Sequence, residues 1–279
     1  MTDLRCRSML CLTAVAAGAF ALATNPQAAT HLSTQAVADT VLSPTGAPIE
    51  RELPTGQEHR YQLTLPPGQL ASLVVEQRGI DVVVQVLDAA GKPVADFDAE
   101  TRVVGRESVG IVFDTEEPVR LVVKPKYSRA PAGRYEIRVP ETHTATEQDR
   151  SLFEAHKLYT TAFALNDAGR YDAAQEAAAR AVAAGEAAAP NDAYVGFLLT
   201  GLANVERARG NNSTADELFQ RALTLDEATV GREDPQTAFL FQSIAALYLS
   251  TDDYARAEPL IRDALAITTK TLGERHPRI

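Results

Sequence analysis

The side chains that most often carry catalysis or bind metal ions are few and scattered in this sequence. Cys6 and Cys11 are its two cysteines, so no residue beyond position 11 can supply a thiolate nucleophile, a thiolate metal ligand or a disulfide. The five histidines, none of which has the i, i+4 spacing of a helical metal site, are His31, His59, His143, His156 and His276. Neither a phosphate-binding glycine-rich loop nor a Gly-x-Ser-x-Gly motif occurs. We therefore predict a protein that is not an enzyme and has no cofactor.

Three carboxylates at alternate positions form a candidate ion site. Asp96, Asp98 and Glu100 would point the same way on an extended segment and, with backbone carbonyls, could hold Ca²⁺. The simpler interpretation is a solvated strand edge whose charges prevent pairing with other chains. We predict no metal site and keep these three residues as the calcium alternative.

The overall charge excludes two classes of partner. Lys and Arg number 27 against 37 Asp and Glu, which gives a formal net charge of −10. A nucleic-acid binder or a polybasic membrane-surface protein needs a positive field to attract phosphate. We therefore expect neither nucleic acid nor an anionic membrane surface as a partner.

The N-terminal segment has the pattern of an export signal. Arg5 and Arg7 precede an apolar run from Met9 to Leu22, and Ala21-Leu22-Ala23 offers a small-x-small cleavage site. The run is short for a bilayer span, although a retained anchor is the alternative. We predict a signal peptide and cleavage region at residues 1–29, a flexible lead-in at residues 30–47, and a periplasmic or secreted protein with no membrane contact after cleavage.

Between residues 48 and 140, apolar residues alternate with polar ones, as they do in half-buried strands. Tyr61–Leu65 and Tyr135–Val139 are examples. Val82–Leu87 is more uniformly apolar, as in a strand covered on both faces. Turn signals separate seven or eight such segments, which predicts an antiparallel β-sandwich.

From residue 147 to residue 279 the period becomes helical and the sequence repeats itself. Three segments, at about 150–190, 191–232 and 233–274, come into register at offsets of 41 and 42 residues. The register stacks alanines in two columns, Ala162, Ala203 and Ala245 in the first helices and Ala174, Ala215 and Ala257 in the second helices. Small residues at such positions let helix pairs approach closely. The predicted fold class is therefore multidomain β plus α, an N-terminal antiparallel β-sandwich followed by an α-helical solenoid.

Helix starts can also be predicted from the sequence. Thr144 and Glu147 have capping-box spacing, and Asp234-Pro235 combines an N-cap with proline at the first helical position. His276-Pro277 repeats the second pattern where a further first helix would begin. Because a solenoid end without a polar capping helix exposes an apolar face, we expect the repeats to be truncated here and this face to be a candidate for self-association.

Both regions resemble known families. Glu76–Asp88 and Gly133–Val139 are similar to the bacterial pre-peptidase C-terminal sandwich, in the version that precedes secreted tetratricopeptide proteins with a caspase-like CHAT domain. The repeats resemble tetratricopeptide repeats (TPRs), and Thr229–Pro235 recurring as Thr271–Pro277 resembles the kinesin-light-chain variety. The resemblance implies a helical groove that binds a protein or peptide. In the CHAT proteins, peptidase activity belongs to a later domain whose His and Cys have no counterpart here.

Groove positions carried over from the resembled repeats fall on the first helix of each unit. They are His156, Tyr159, Phe163, Asn166 and Asp167; Phe197, Thr200, Asn204 and Arg207; and Phe239 and Gln242. Aromatic rings, amides and one Arg suit the recognition of a polypeptide. The alternative is that the three Phe side chains pack between adjacent helices.

Three functions are open at this point. The first is an exported, non-enzymatic scaffold that binds protein through the groove. The second is the regulatory N-terminal half of a CHAT peptidase. The third is binding of carbohydrate or another envelope polymer by the sandwich, which the scarcity of aromatics, 6% of residues, disfavours.

Overall fold

Nine strands followed by six helices make up the part of the chain that the structure describes, residues 39–88 and 90–273 of a computed structural model. The predicted export signal, the first part of the predicted lead-in and the His276-Pro277 segment lie outside the described residues.

The strands form a two-layered β-domain. They are β1 (Thr40–Val41), β2 (Ile49–Leu53), β3 (His59–Leu63), β4 (Gln69–Arg78), β5 (Val82–Leu87), β6 (Pro93–Phe97), β7 (Val104–Val112), β8 (Val119–Pro125) and β9 (Gly133–Thr144). One sheet has the order β1-β3-β8-β5-β6 and the other β2-β9-β4-β7. All pairs are antiparallel except β1 with β3. Alternate residues of both sheets, such as Tyr61 and Val75, fill a shared core, as the alternation predicts.

The β-domain begins earlier than the sequence pattern indicates. β1 lies inside the predicted lead-in and raises the number of strands to nine. The buried Leu42 follows it, and the Leu42 amide donates to the Gln62 carbonyl at 2.8 Å. A two-residue strand is too short to show alternation, so this addition has no periodic signal.

The helices form three antiparallel pairs. They are α1 (Glu147–Asp167), α2 (Tyr171–Ala188), α3 (Ala193–Ala208), α4 (Asn212–Thr229), α5 (Pro235–Ser250) and α6 (Tyr254–Leu272). All six alanines of the two predicted columns are at most 2% exposed. Small side chains therefore line the contacts between helices, and the predicted fold class is confirmed.

Helix α1 belongs partly to the β-domain. Phe153 joins the core of the sandwich, and the amide of Asp96 in β6 donates to the Thr160 hydroxyl at 2.9 Å. The predicted capping box at Thr144 and Glu147 is wrong: Thr146 caps α1, with reciprocal hydrogen bonds to Asp149. Thr144 is unavailable as a cap because it pairs with Gln69 as the last residue of β9.

Candidate binding groove

The first helices α1, α3 and α5 present matching residues in four rows, which we call the groove face. Each row is one position repeated at the offset of 41 or 42 residues. The first two rows are His156, Phe197 and Phe239, then Tyr159, Thr200 and Gln242. The last two rows are Phe163, Asn204 and Ala246, then Asn166, Arg207 and Leu249. We call the first two the covered rows and the last two the open rows.

Aromatic rings connect the covered rows to each other and to the β-domain. The ring centroids of Phe97 and His156 are 4.1 Å apart, and His156 stacks on Tyr194 at the same distance. Phe197 lies 4.9 Å from Tyr159, 6.0 Å from Tyr194 and 6.4 Å from Phe239. Phe197 therefore takes part in packing between neighbouring helices.

The connection between β6 and β7 extends this contact to the third repeat. Arg102 lies in this connection, and its Nη2 is 3.4 Å from Oδ2 of Asp234, the N-cap of α5. Together with the bond from Asp96 to Thr160, this ion pair brings one β-domain segment into contact with the first helices of the first and third repeats. The covered rows thus contact the chain's own β-domain at His156, which lies between Phe97 and Tyr194.

Burial keeps the ring of His156 neutral. Loss of solvation lowers the pKa of His156 to about 3, although a hydrogen bond with the Asp96 backbone acts in the opposite direction. Burial also raises the pKa of the Tyr159 and Tyr194 hydroxyls. At neutral pH all side chains of the covered rows are therefore uncharged.

The open rows combine exposed apolar side chains with polar atoms that lack partners. Phe163 is 59% and Leu249 is 43% exposed. Within the described residues, Oδ1 of Asn166 and Nε of Arg207 are buried without a hydrogen-bond partner. Asn204 donates to the Ser243 hydroxyl at 3.3 Å and so joins α3 to α5. This half of the face offers exposed apolar side chains and the half-buried cation of Arg207.

The remaining predicted groove residues have different environments. Thr200 is 1% exposed, and its hydroxyl donates to the Gly196 carbonyl of its own helix. Phe239 and Gln242 are half-buried, and Asp167 is exposed. Sequence reasoning missed Tyr194, Leu249 and Phe97. The first two have a periodic signal, because Tyr194 lies three residues before Phe197 and Leu249 aligns with Arg207, whereas nothing in the sequence connects Phe97 to the helices.

The three carboxylates of the calcium alternative contact separate partners. Asp96 accepts a hydrogen bond from Gln85 at 3.0 Å, Asp98 forms an ion pair with Lys126, and Glu100 lies 3.1 Å from Arg102. Across residues 39–88 and 90–273, no group of three or more His, Cys, Asp or Glu residues could hold a metal ion.

A buried carboxyl anchors the connection between β6 and β7. Glu107 is 1% exposed, and its Oε2 accepts from the Glu100 amide at 2.9 Å. Burial, with a smaller contribution from Asp98 and Glu100, raises the pKa of Glu107 to about 8. This side chain is therefore largely protonated at neutral pH and fixes the backbone that carries Arg102.

Three of the five histidines fall within the described residues, each in a separate environment. Besides His156 in the aromatic stack, His59 hydrogen-bonds the Tyr135 hydroxyl at 2.7 Å and His143 contacts Asp149 at 3.0 Å. His31 and His276 lie outside the described residues. No helix that the structure describes is both long and apolar enough for a membrane crossing.

Comparison with known proteins identifies the repeats. Residues 194–270 match the family model of the tetratricopeptide repeat. Similar solved structures include BtubC (BKLC) from P. vanneervenii, with 22% identity and a TM-score of 0.40 over 44% of this chain and 48% of that chain. The Yersinia enterocolitica type III secretion translocator chaperone SycD has 18% identity and a TM-score of 0.33 over 44% of this chain and 79% of that chain.

The β-domain is similar to the pre-peptidase C-terminal domain of collagenase from Bacillus anthracis. The identity is 14% and the TM-score 0.29, over 37% of this chain and 96% of that chain. This chain spans less than half the length of BtubC. No curated protein matches it. The prediction of tetratricopeptide repeats is confirmed, whereas the resemblance to CHAT proteins stays a prediction.

Proposed function

We propose that the chain is an exported, non-enzymatic scaffold that binds a protein or peptide partner through the open rows of the groove face. The observation that carries the proposal is the exposure of Phe163 and Leu249 in rows that also hold the half-buried Arg207. Aromatic and arginine side chains dominate the binding energy of protein interfaces.

The contacts of the β-domain restrict where a partner binds. His156 lies between Phe97 and Tyr194, so a partner at that position would have to displace part of the β-domain. Phe153 in the sandwich core ties α1 to the same domain, which makes such displacement costly. The partner is therefore expected to contact the open rows, toward the C-terminal ends of α1, α3 and α5.

Changing Phe163 and Arg207 together to Ala is expected to weaken capture of the partner at least tenfold, or about 1.4 kcal/mol. The bait is the chain from Thr24 onward, offered separately to envelope and cytosolic fractions, and the captured proteins are quantified by mass spectrometry. Export predicts that the partner comes from the envelope fraction. Circular dichroism verifies that the variant keeps its helices.

The matched control is the pair Tyr254→Ala and Arg262→Ala, which removes an exposed ring and an exposed Arg from α6, off the groove face. Capture should persist with this control. Equal capture by the wild type and by the Phe163 and Arg207 variant would exclude the open rows as the binding site.

We also propose that the chain self-associates through α6. Ile261 and Leu265 are 44% and 52% exposed, whereas Phe219, at the position of Ile261 in the second repeat, is fully buried among the helices of the array. Ile261 therefore exposes on α6 an apolar position that is buried between helices in the second repeat.

Sedimentation velocity is expected to show a concentration-dependent dimer. The change Ile261→Glu should abolish the dimer by placing a charge on the α6 face. Ala255→Glu adds the same charge at an exposed position elsewhere on α6 and should leave the dimer intact. A wild-type chain that stays monomeric at every concentration would refute self-association.

A further inference from the structure

An ionisable side chain is enclosed where α3, α4 and α5 meet. Asp226 of α4 is fully buried, and its Oδ1 accepts a hydrogen bond from Nε2 of Gln236 in α5 at 2.8 Å. The same nitrogen lies 2.8 Å from the carbonyl oxygen of Ala193 in α3. Oδ2 of Asp226 is buried and has no hydrogen-bond partner among the described residues. The carboxyl group thus joins three helices while one of its oxygens stays unpaired.

Helix α3 approaches this carboxyl group closely at a glycine. A Cβ atom built at Gly196 of α3 would lie 2.1 Å from Oδ1 of Asp226. Only glycine therefore allows α3 to approach the carboxyl group so closely.

Aspartate is not the residue that the matching positions of the array contain. The first repeat has Gly185 there, and the third has Thr268, whose buried hydroxyl donates to the Ala264 carbonyl of its own helix. Both fill the position without a charge. The contact between the second and third repeats, which we call the seam, therefore contains a titratable group that the first and third repeats lack at the matching position.

The charged groups around Asp226 favour its neutral form. Asp234, the N-cap of α5, lies close enough for its charge to raise the pKa of Asp226. Asp234 in turn forms the ion pair with Arg102 of the β6–β7 connection. On the α3 side, Asp192 accepts a hydrogen bond from the Tyr194 amide, and after α4 Arg232 pairs with Glu227 and Asp263.

Burial is the main cause of the pKa shift at Asp226. Together with the charge of Asp234 it raises the pKa to about 6, while the hydrogen bond from Gln236 acts in the opposite direction. A mildly acidic solution therefore protonates this group in the folded protein.

We propose that Asp226 is a proton-controlled lock between the second and third repeats, which holds the seam closed when neutral and loosens it when charged. The unpaired Oδ2 and the nearby Asp234 are the reasons, because ionisation leaves a buried negative charge that has no cationic partner in contact among the described residues. The groove face crosses this seam between Phe197 and Phe239, whose ring centroids are 6.4 Å apart. The spacing of the groove between these repeats thus depends on pH.

Hydrogen exchange of the full chain tests this lock without any partner. The readout is the protection factor, which corrects for the pH dependence of exchange itself, in segments that cover the first halves of α3 and α5. Relative to Asp226→Asn, the protection of the wild type is expected to fall about tenfold from pH 5 to pH 7.5, because the unfolded Asp is already ionised at pH 5 while the folded one is not. The comparison with Asp226→Asn removes the effect of His156, which both proteins share and which acts with the opposite sign.

Two further variants complete the test. Asp226→Thr copies the residue of the third repeat and should behave as Asp226→Asn does, which gives an answer even where the amide variant fails to fold. Asp172→Asn removes a highly exposed carboxylate from the first repeat and should keep the wild-type response. Equal pH dependence of protection in the wild type and both Asp226 variants would overturn the lock, and this result would leave partner binding at the open rows untouched.

Discussion

Replacing Ala203 with Phe is expected to lower the free energy of unfolding by about 3 kcal/mol, because the side chain is fully enclosed by neighbouring helices. Ala203 belongs to the column of small residues that lies between the helix pairs, with Ala162 and Ala245 in the matching positions. A benzyl group there cannot be accommodated unless the helices separate. Helix separation would in turn remove the apolar contacts of both adjacent repeats.

Urea denaturation followed by circular dichroism measures this loss, with Ala183→Phe as the matched control. Ala183 is an exposed position of α2, so the control carries the same change in helix propensity without the overpacking. The control is expected to stay within about 1 kcal/mol of the wild type. Equal midpoints for the two variants would show that Ala203 is not at a close helix contact.

The alanine columns explain why the helical architecture could be predicted from sequence. Close approach of two helices requires a small residue at a fixed position, and the requirement recurs in every repeat. Ala162, Ala203 and Ala245 therefore recur at a constant spacing even though the residues around them differ between repeats. The β-sandwich could be predicted in the same way, because burial of one sheet face has a period of two residues, as in the buried Tyr61 and Leu63 on either side of Gln62.

The contacts between the β-domain and the repeats have no such signal. Arg102 and Asp234 are 132 positions apart, and nothing in the identity of either residue specifies the other. The same holds for Phe97 and His156. The groove positions could therefore be placed on the correct helices, while the division into covered and open rows required the packing of two separately patterned domains.

Local signals also mislead where two structures compete for one residue. Thr144 has the sequence spacing of a helix cap, yet its backbone pairs with Gln69 in the sheet. Because Thr144 is held in the sheet, the N-cap of α1 is Thr146, two residues later. Asp226 presents the converse case: its position in the repeat is visible in the sequence, but its unpaired oxygen is a consequence of three-dimensional packing.

Acidification from pH 7.5 to pH 5 is expected to destabilise the wild type relative to His156→Phe by about 2 kcal/mol. The folded protein holds His156 neutral because its pKa is lowered to about 3, whereas the unfolded chain has the ordinary value of 6.5. Below pH 6.5 the unfolded state therefore binds a proton that the folded state does not. The stability that His156 contributes is complete above pH 6.5 and is lost progressively as the pH falls toward 3.

His156→Phe keeps an aromatic ring between Phe97 and Tyr194 and removes the titration, so the difference between the two unfolding curves isolates this group. Asp226 acts with the opposite sign, because its raised pKa makes the folded protein more stable as the pH falls from about 6 toward 3.8. The two effects partly cancel in the wild type between pH 7.5 and pH 5. Urea denaturation of His156→Phe should thus show a gain in stability on acidification, and Asp226→Asn a loss. Parallel pH profiles for the wild type and His156→Phe would contradict the burial of His156 at the contact between the β-domain and the repeats.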